Sequence, residues 1–194
     1  FDEEGEETGE QGGDPSQLIT VRLLHDQCTI SVDSSGELLH RRGYRLATAK
    51  APLRETLAAA TLFASGWAAA LDGTPPPLID PFCGSGTIAI EAALLALGVA
   101  PGLAAAAPRR FAFMRWPQYD PALWGEVTAA AMAQQRQRAE QIGAALVIEG
   151  SDRDAGAVAM AQANAERAGV APFVHFTCRP ISALTPPVPA VPGW

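Results

Sequence analysis

The segment Asp80-Pro81-Phe82-Cys83-Gly84-Ser85-Gly86-Thr87 is the most informative stretch of this sequence. Before it, Leu78-Ile79 has the character of a short buried strand, and after it residues 87–97 read as a helix closed by Gly98. Glycines at such a junction let the backbone turn tightly and approach a ligand without an intervening Cβ atom. The helix N-terminus that follows offers unpaired N–H groups and the positive end of a dipole. We therefore predict a ligand site here, at the carboxyl edge of a sheet.

The Gly84-x-Gly86 pattern alone has a plainer interpretation, which is an ordinary turn between a strand and a helix. It is not a phosphate-binding P-loop, because no Gly-Lys-Ser/Thr follows it. In a dinucleotide fingerprint Ala89 would take the place of the third glycine, which that pattern tolerates. A second feature is needed before the loop indicates a particular ligand.

That second feature is the acidic stretch Glu149-Gly150-Ser151-Asp152-Arg153-Asp154, which follows a strand predicted over 145–149. A carboxylate in this place can accept hydrogen bonds from both hydroxyls of a ribose. We assign this role to Asp152, with Arg153 beside the adenine face and Asp154 as the N-cap of the next helix. The simpler alternative is that all three residues only cap the helix or face solvent.

The order of elements from residue 78 onward predicts the fold class. Strands and helices alternate, with strands over 78–80, 145–149 and 173–178 and helices over 87–97, 121–142 and 155–168. Such alternation is typical of a parallel sheet with helices on its faces. Upstream, the sequence predicts short antiparallel strands over 18–24, 27–32 and 37–40 and a helix over 52–72. The fold is therefore expected to be α/β, a Rossmann-like core with a small N-terminal antiparallel appendage.

Charge and composition divide the chain further. Seven of the 21 acidic residues, and none of the 14 basic ones, precede residue 15, so the rest of the chain is neutral overall. We predict a disordered acidic linker over 1–15 and the antiparallel appendage over 16–50.

Cysteine usage and hydropathy favour a cytoplasmic protein. The cysteines are odd in number and unpaired in spacing, which argues against a disulfide framework or a zinc site: they are Cys28, Cys83 and Cys178. The three histidines are scattered, and no metal site is predicted. The apolar stretch 57–71 is too short to span a bilayer, and the run 88–107 contains Glu91 and several helix breakers. We predict no association with a membrane.

Several motifs resemble those of a known family. DPFCGSGTIAIEAA and GSDRDAGAVAMAQANAERAGV resemble the glycine loop and acidic segment of S-adenosylmethionine-dependent base methyltransferases. More closely, SGELLHRRGYR, APLRETLAA and DPFCGSGT together resemble THUMP-domain-linked RNA guanine-N2 methyltransferases that act on large-subunit ribosomal RNA. The resemblance spans residues 20–194 and implies a class I methyltransferase core, with its S-adenosylmethionine-binding half over 51–194. It also implies methyl transfer to an exocyclic base nitrogen, with ribosomal RNA as the partner.

The resemblance carries over residue by residue to a cofactor site. Asp80, Gly84 and Gly86 would line the methionine and ribose side, and the segment around Arg54 and Glu55 would flank the methionine end. The full predicted set of cofactor-binding residues is Asp80, Pro81, Cys83, Gly84, Ser85, Gly86, Thr87, Asp152 and Arg153.

The sequence departs from the family in three ways. The upstream RNA-binding THUMP domain is absent, and Arg179-Pro180-Ile181-Ser182 stands where the family often has an acid that contacts the adenine amine. The family's catalytic Asn-Pro-Pro-Tyr (or Phe) loop follows a fourth strand, and Thr185-Pro186-Pro187-Val188 lacks its asparagine and its aromatic residue. We therefore expect that the catalytic residues lie beyond Trp194 and that the core is incomplete at its C-terminus. This chain alone should not methylate RNA. A second polypeptide is a possible partner that completes the sheet.

A basic cluster upstream of the core is the candidate RNA contact. Its predicted members are Arg41, Arg42, Arg45 and Lys50. They could bind phosphate, although short arginine runs are equally often a solvated face. Two other functions stay open: an adenine-N6 DNA methyltransferase, which shares the glycine loop, and a non-catalytic remnant that binds cofactor or RNA.

Overall fold

The computed structural model describes residues 17–46, 53–73, 75–104, 109–142 and 145–185. The predicted linker over 1–15 and Lys50 lie outside these ranges. The described strands and helices are β1 (Ile19–Leu24), β2 (Gln27–Val32), α1 (Glu55–Ala64), β3 (Leu78–Asp80), α2 (Thr87–Ala96), α3 (Pro121–Ile142), β4 (Ile148–Asp152), α4 (Ala155–Ala168) and β5 (His175–Cys178). Of the described residues, 17–38 and 110–120 belong to one compact unit and the others to a second.

The first unit is built on an antiparallel hairpin of β1 and β2, in which Ile19 lies opposite Val32. The two-residue turn at His25 and Asp26 has positive φ at both positions, which matches the twist of the flanking strands. Strand alternation puts all the large apolar side chains except Leu24 on one face, and Leu24 with polar side chains on the other. Every residue of both strands is exposed.

The predicted third strand over 37–40 is wrong, because these residues form bends and turns. The Asp33 carboxylate accepts hydrogen bonds from the backbone N–H groups of Ser35 and Gly36, at 2.9 and 2.8 Å. Gly36 has a φ of +79°, outside the strand region. This side-chain-stabilised turn ends the hairpin before a third strand can pair with it.

The second unit contains the parallel sheet, in the order β3-β4-β5. Leu78 of β3 lies opposite Ile148 of β4, and Glu149 of β4 lies opposite His175 of β5. Because α2 and α3 connect β3 to β4, and α4 connects β4 to β5, each connection is a helical crossover. The predicted α/β fold class is confirmed.

The core of the second unit lies against α2, whose alanine-rich sequence lets neighbouring elements approach closely. Eight of its ten residues are buried. Trp67, Ile90 and Leu97 are among the largest fully buried side chains, and Trp67 donates a hydrogen bond from its indole N–H to the Pro76 carbonyl at 3.0 Å. None of the helices in the described part of the chain is long and apolar enough to cross a membrane.

Two predicted boundaries in the second unit are wrong. The helix predicted over 52–72 ends at Ala64, where Gly66 adopts a φ of +84°, and a 3-10 turn over Ala68–Asp72 follows. The strand predicted over 145–149 lies at Ile148–Asp152, because Gly150 pairs with both β3 and β5 and Ser151 pairs with β5. Pairing on both sides outweighs the weak strand preference of these small residues.

Candidate functional site

The glycine loop, residues 81–86, joins β3 to α2 and is tied to the end of β4. Gly84 and Gly86 have φ values of +51° and +84°, in the left-handed region that glycine adopts without steric cost. The backbone N–H of Cys83 donates to the Ser151 carbonyl at 2.9 Å, and that of Gly86 donates to the Cys83 carbonyl at 2.7 Å. The loop therefore has a defined shape at the carboxyl edge of the sheet.

Asp152 meets the glycine loop at that edge. Its Oδ2 accepts a hydrogen bond from the backbone N–H of Gly84 at 3.1 Å, and its Oδ1 accepts one from that of Asp154 at 3.0 Å. A carboxylate offers about four acceptor positions, so two remain for a ligand's hydroxyl groups. The Asp154 side chain accepts from the N–H groups of Gly156 and Ala157, which confirms it as the N-cap of α4.

Asp80 supplies the second carboxylate, at the end of β3. Its Oδ1 accepts a hydrogen bond from the Phe82 N–H at 3.2 Å. Burial raises the pKa of Asp80, the Phe82 bond acts against that rise, and the charge of Asp152 adds to it. Within the described ranges, no basic side chain forms an ion pair with Asp80 or Asp152. Two unpaired acids at one sheet edge suit a ligand that donates hydrogen bonds or carries positive charge.

The two glycines of the loop differ in the space around their Cβ positions. A Cβ added at Gly84 would meet nothing within 4 Å, whereas one at Gly86 would lie 2.8 Å from the Phe176 ring and 2.9 Å from the Ala161 Cβ. A Cβ at Gly150 would lie 2.6 Å from the same ring. The loop is therefore closed towards the core at Gly86 and open at Gly84.

The remaining predicted cofactor residues divide into buried and exposed ones. Cys83, Ser85 and Thr87 have exposed fractions of 5–6%. Burial, followed by the charges of Asp80 and Asp152, raises the pKa of the Cys83 thiol to about 12, so it is protonated and unreactive at neutral pH. Pro81 is half-buried and Arg153 is exposed. The side chains of Cys83, Ser85 and Thr87 are therefore turned away from solvent, and their binding role stays a prediction.

The sequence reasoning missed Asn164, a fully buried residue of α4. Its Nδ2 donates a hydrogen bond to the Ser85 carbonyl at 3.0 Å. The available signal was an amide on an otherwise alanine-rich helix face, where a polar side chain needs a partner.

We define the arginine cluster as Arg41, Arg42 and Arg45. Arg42 forms an ion pair inside the fold. Its Nε and Nη2 contact the two carboxylate oxygens of Glu91 at 3.3 and 3.2 Å. The Tyr44 hydroxyl donates to Glu91 Oε1 at 3.0 Å. Glu91 is only 3% exposed; burial raises its pKa, and Arg42 acts against the rise. Burial also raises the pKa of Tyr44, so its hydroxyl stays protonated.

Arg45 also forms an ion pair with a buried glutamate. Its Nη2 lies 3.0 Å from Oε2 of the buried Glu55, and its Nη1 donates to the Leu53 carbonyl at 2.7 Å. The guanidinium groups of Arg42 and Arg45 are thus used inside the fold, and we revise the prediction that they contact RNA. Arg41 is exposed and stays a candidate, while Lys50 lies outside the described residues.

Two further predicted positions have partners within the protein. Glu55, expected near the methionine end of a cofactor, is the partner of Arg45. Arg179, which follows β5, pairs through Nη2 with Glu149 Oε2 at 2.8 Å, so this guanidinium is turned towards β4. The placement of the segment around Arg54 and Glu55 near the methionine end stays a prediction, and the Arg179 side chain has no acceptor atom for an adenine amine.

A parallel sheet with a glycine loop and an acid at the ends of adjacent strands defines an α/β domain that binds a nucleoside-containing cofactor. Residues 42–189 match the UPF0020 family, described as RMKL-like, methyltransferase domain, and the chain belongs to this family. The family predicted from the motifs is confirmed.

Curated relatives point in the same direction. The chain is 44% identical over 176 residues to ribosomal RNA large subunit methyltransferase K/L of Shewanella amazonensis, covering 91% of this chain and 24% of the relative. It is 45% identical over 169 residues to the protein of the same name from Shewanella baltica, covering 87% and 23%. The chain therefore spans about a quarter of the length of these relatives.

Solved structures share the fold. A predicted N6-adenine-specific DNA methylase from Listeria monocytogenes superposes with a TM-score of 0.73 at 34% identity, over 87% of this chain and 41% of the other. SMU.472, complexed with SAH, gives a TM-score of 0.68 at 33% identity, over 90% and 42%.

Proposed function

We propose that this chain is the cofactor-binding part of an S-adenosylmethionine-dependent RNA methyltransferase. The reaction is transfer of a methyl group to an exocyclic base nitrogen, guanine-N2 of large-subunit ribosomal RNA in the form that we favour. We further propose a cytoplasmic protein whose sheet is extended by another strand, from the same or a second polypeptide.

One observation carries the cofactor assignment: the approach of Asp152 to Gly84 across the ends of β4 and β3. The loop is open beside Gly84, and Asp152 retains acceptor positions for the two hydroxyls of a ribose. S-adenosylhomocysteine in the related structure SMU.472 supports the same class of ligand.

The residues of this chain act by binding and orienting. When bound, S-adenosylmethionine supplies a methyl group that its sulfonium charge already activates, so alignment of the acceptor nitrogen is the main requirement. Asp152 holds the ribose, and the carboxylate of Asp80 favours the positively charged end of the cofactor. The glycine loop lets the backbone approach without a side chain in the way.

The names of the curated relatives support RNA as the substrate. The name of the Listeria structure favours a second candidate, an adenine-N6 DNA methyltransferase, which would use the same cofactor site. Methyl transfer from labelled cofactor separates the two, with ribosomal RNA and duplex DNA offered to the full-length protein. Label in DNA alone would contradict the RNA assignment and leave the cofactor assignment intact.

The cofactor assignment itself is tested by calorimetry on the 194-residue chain with S-adenosylhomocysteine and, separately, with NAD. We expect saturable heat with S-adenosylhomocysteine that is reduced in Asp152→Ala, and none with NAD. An exposed-surface variant, Glu126→Ala on α3, serves as the matched control and should bind as the wild type does. Binding of NAD without a signal from S-adenosylhomocysteine would refute the proposal.

A further inference from the structure

Asn164 of α4 contacts the glycine loop from within the protein. It is 0% exposed, and its Nδ2 donates to the carbonyl of Ser85, which is itself buried. Ala161, one turn earlier on the same face of α4, restricts the space at Gly86 together with the Phe176 ring. The helix α4 therefore contacts two successive loop residues, one by packing and one by a hydrogen bond.

Arg167 fixes the orientation of the Asn164 amide. Its Nη2 donates to Asn164 Oδ1, which leaves the amide NH2 group directed at the Ser85 carbonyl. Its Nε donates to the Tyr44 carbonyl at 2.7 Å. The Tyr44 carbonyl thus helps to hold the Arg167 side chain in place. The Arg167 guanidinium in turn keeps the Asn164 amide from flipping, because a flip would exchange the positions of the amide oxygen and nitrogen.

The position of the Ser85 carbonyl matters for the whole loop. Ser85 lies between two glycines whose φ values are positive, and glycine backbones have many alternative conformations. The Ser85–Gly86 peptide is restrained by Asn164 at its carbonyl and by Cys83 at its N–H group. Loss of the first restraint leaves a buried carbonyl without this donor and allows the peptide to turn.

We propose that Asn164 is a positioning residue for the cofactor-binding loop, with Arg167 setting the direction of its amide. The inference rests on the proposed cofactor site. Asn164 does not touch the ligand; it keeps the loop in the conformation that binds it. Without it only a fraction of molecules is competent, and the apparent Kd rises by the inverse of that fraction.

The test compares three variants of the full chain. Asn164→Ala removes the donor to Ser85, and Arg167→Ala keeps that donor but frees the amide. Val158→Ala removes buried packing from the same helix, and in the described part of the chain it removes no hydrogen bond to the loop. Calorimetry with S-adenosylhomocysteine gives Kd, thermal unfolding gives stability, and amide hydrogen exchange reports the loop without ligand.

We expect Asn164→Ala to raise Kd about five- to tenfold, in the upper half of the range for one lost hydrogen bond between neutral groups, and Arg167→Ala to raise it less. Exchange at residues 83–86 should increase in both variants. Val158→Ala should lower the unfolding temperature with Kd within about twofold of the wild type. An unchanged Kd and loop exchange in Asn164→Ala, or an equal rise of Kd in Val158→Ala, would overturn the inference.

Absence of binding by the wild type would refute the proposed cofactor instead. The exchange measurement would still decide whether Asn164 orders the loop. Unchanged protection of residues 83–86 in Asn164→Ala would then overturn the positioning role on its own.

Discussion

The glycine loop and the arginine cluster both place carboxylates in partly or fully buried positions, but they treat these charges differently. In the cluster, Glu91 and Glu55 are each paired with a guanidinium group. At the loop, Asp80 and Asp152 accept backbone hydrogen bonds, and no described basic residue pairs with them. Charges that are paired within the fold are costly to unpair, whereas charges that are left unpaired at a sheet edge are available to a ligand.

The largest effect is expected in the arginine cluster. Glu91→Ala leaves Arg42 buried without its partner and should lower the free energy of unfolding by about 3–5 kcal/mol, as measured by denaturant titration. The double variant Arg42→Met/Glu91→Met should recover most of this loss, since it removes both charges and retains packing volume. A loss below about 1 kcal/mol in Glu91→Ala would show that Arg42 is not costly to leave without its partner.

At the loop, binding should change more than stability. Asp152→Ala should weaken S-adenosylhomocysteine binding by roughly 1.5–3 kcal/mol, the range for hydrogen bonds that involve a charged group. Asp154→Ala on the same turn should instead cost about 1 kcal/mol of stability through loss of the α4 N-cap. Calorimetry and thermal unfolding of both variants test this, and an exchange of the two phenotypes would move the ribose contact to Asp154.

Replacing Asp80 should raise the free energy of unfolding, whereas replacing Glu91 or Asp154 lowers it, and the effect should be smaller. Its pKa is raised in the folded protein above the ordinary value of 3.8, so the folded state binds the proton more tightly than the unfolded chain does. The free energy of unfolding therefore falls as the pH rises from 3.8 through the raised pKa. Asp80→Asn should be more stable than the wild type at neutral pH and equal to it below pH 3.8. Urea unfolding at several pH values measures the difference, and its absence at neutral pH would contradict the account.

The smallest effect separates two neighbours within the cluster. Arg41 is exposed. The binding constant for ribosomal RNA falls with salt concentration, and in Arg41→Ala the slope of its logarithm against the logarithm of salt concentration should be smaller by about one. Arg42→Ala should leave that slope unchanged and lower the unfolding temperature. Fluorescence anisotropy over a salt series compares the two. A reduced slope in Arg42→Ala alone would restore the original RNA assignment of that residue.

Local signals made the loop predictable. One short stretch contains an apolar strand, an acid, two glycines and the first turn of a helix. Asp154 caps α4 by accepting hydrogen bonds from residues within three positions of its own. Such patterns depend on backbone conformation and nearby hydrogen bonds, both of which are encoded by neighbouring residues.

Long-range partners made the cluster unpredictable. Arg42 and Glu91 are 49 positions apart, and no local pattern distinguishes an arginine that pairs with a buried acid from one that faces solvent. The same holds for β4, whose bounds depend on pairing with β3 and β5, and for Asn164, whose partner Ser85 is 79 positions away. Tertiary contacts decide these features.

Gly150 has a consequence for the sequence variation that the fold tolerates. The φ of Gly150 is not in the left-handed region, so its need for glycine is a matter of space: a Cβ there would lie 2.6 Å from the Phe176 ring. The two positions are therefore epistatic. Alanine at 150 becomes acceptable only on a background with a smaller side chain at 176, and the order in which the two substitutions arise matters. Gly86 does not gain this freedom, since its backbone conformation disfavours a side chain even when the ring is gone.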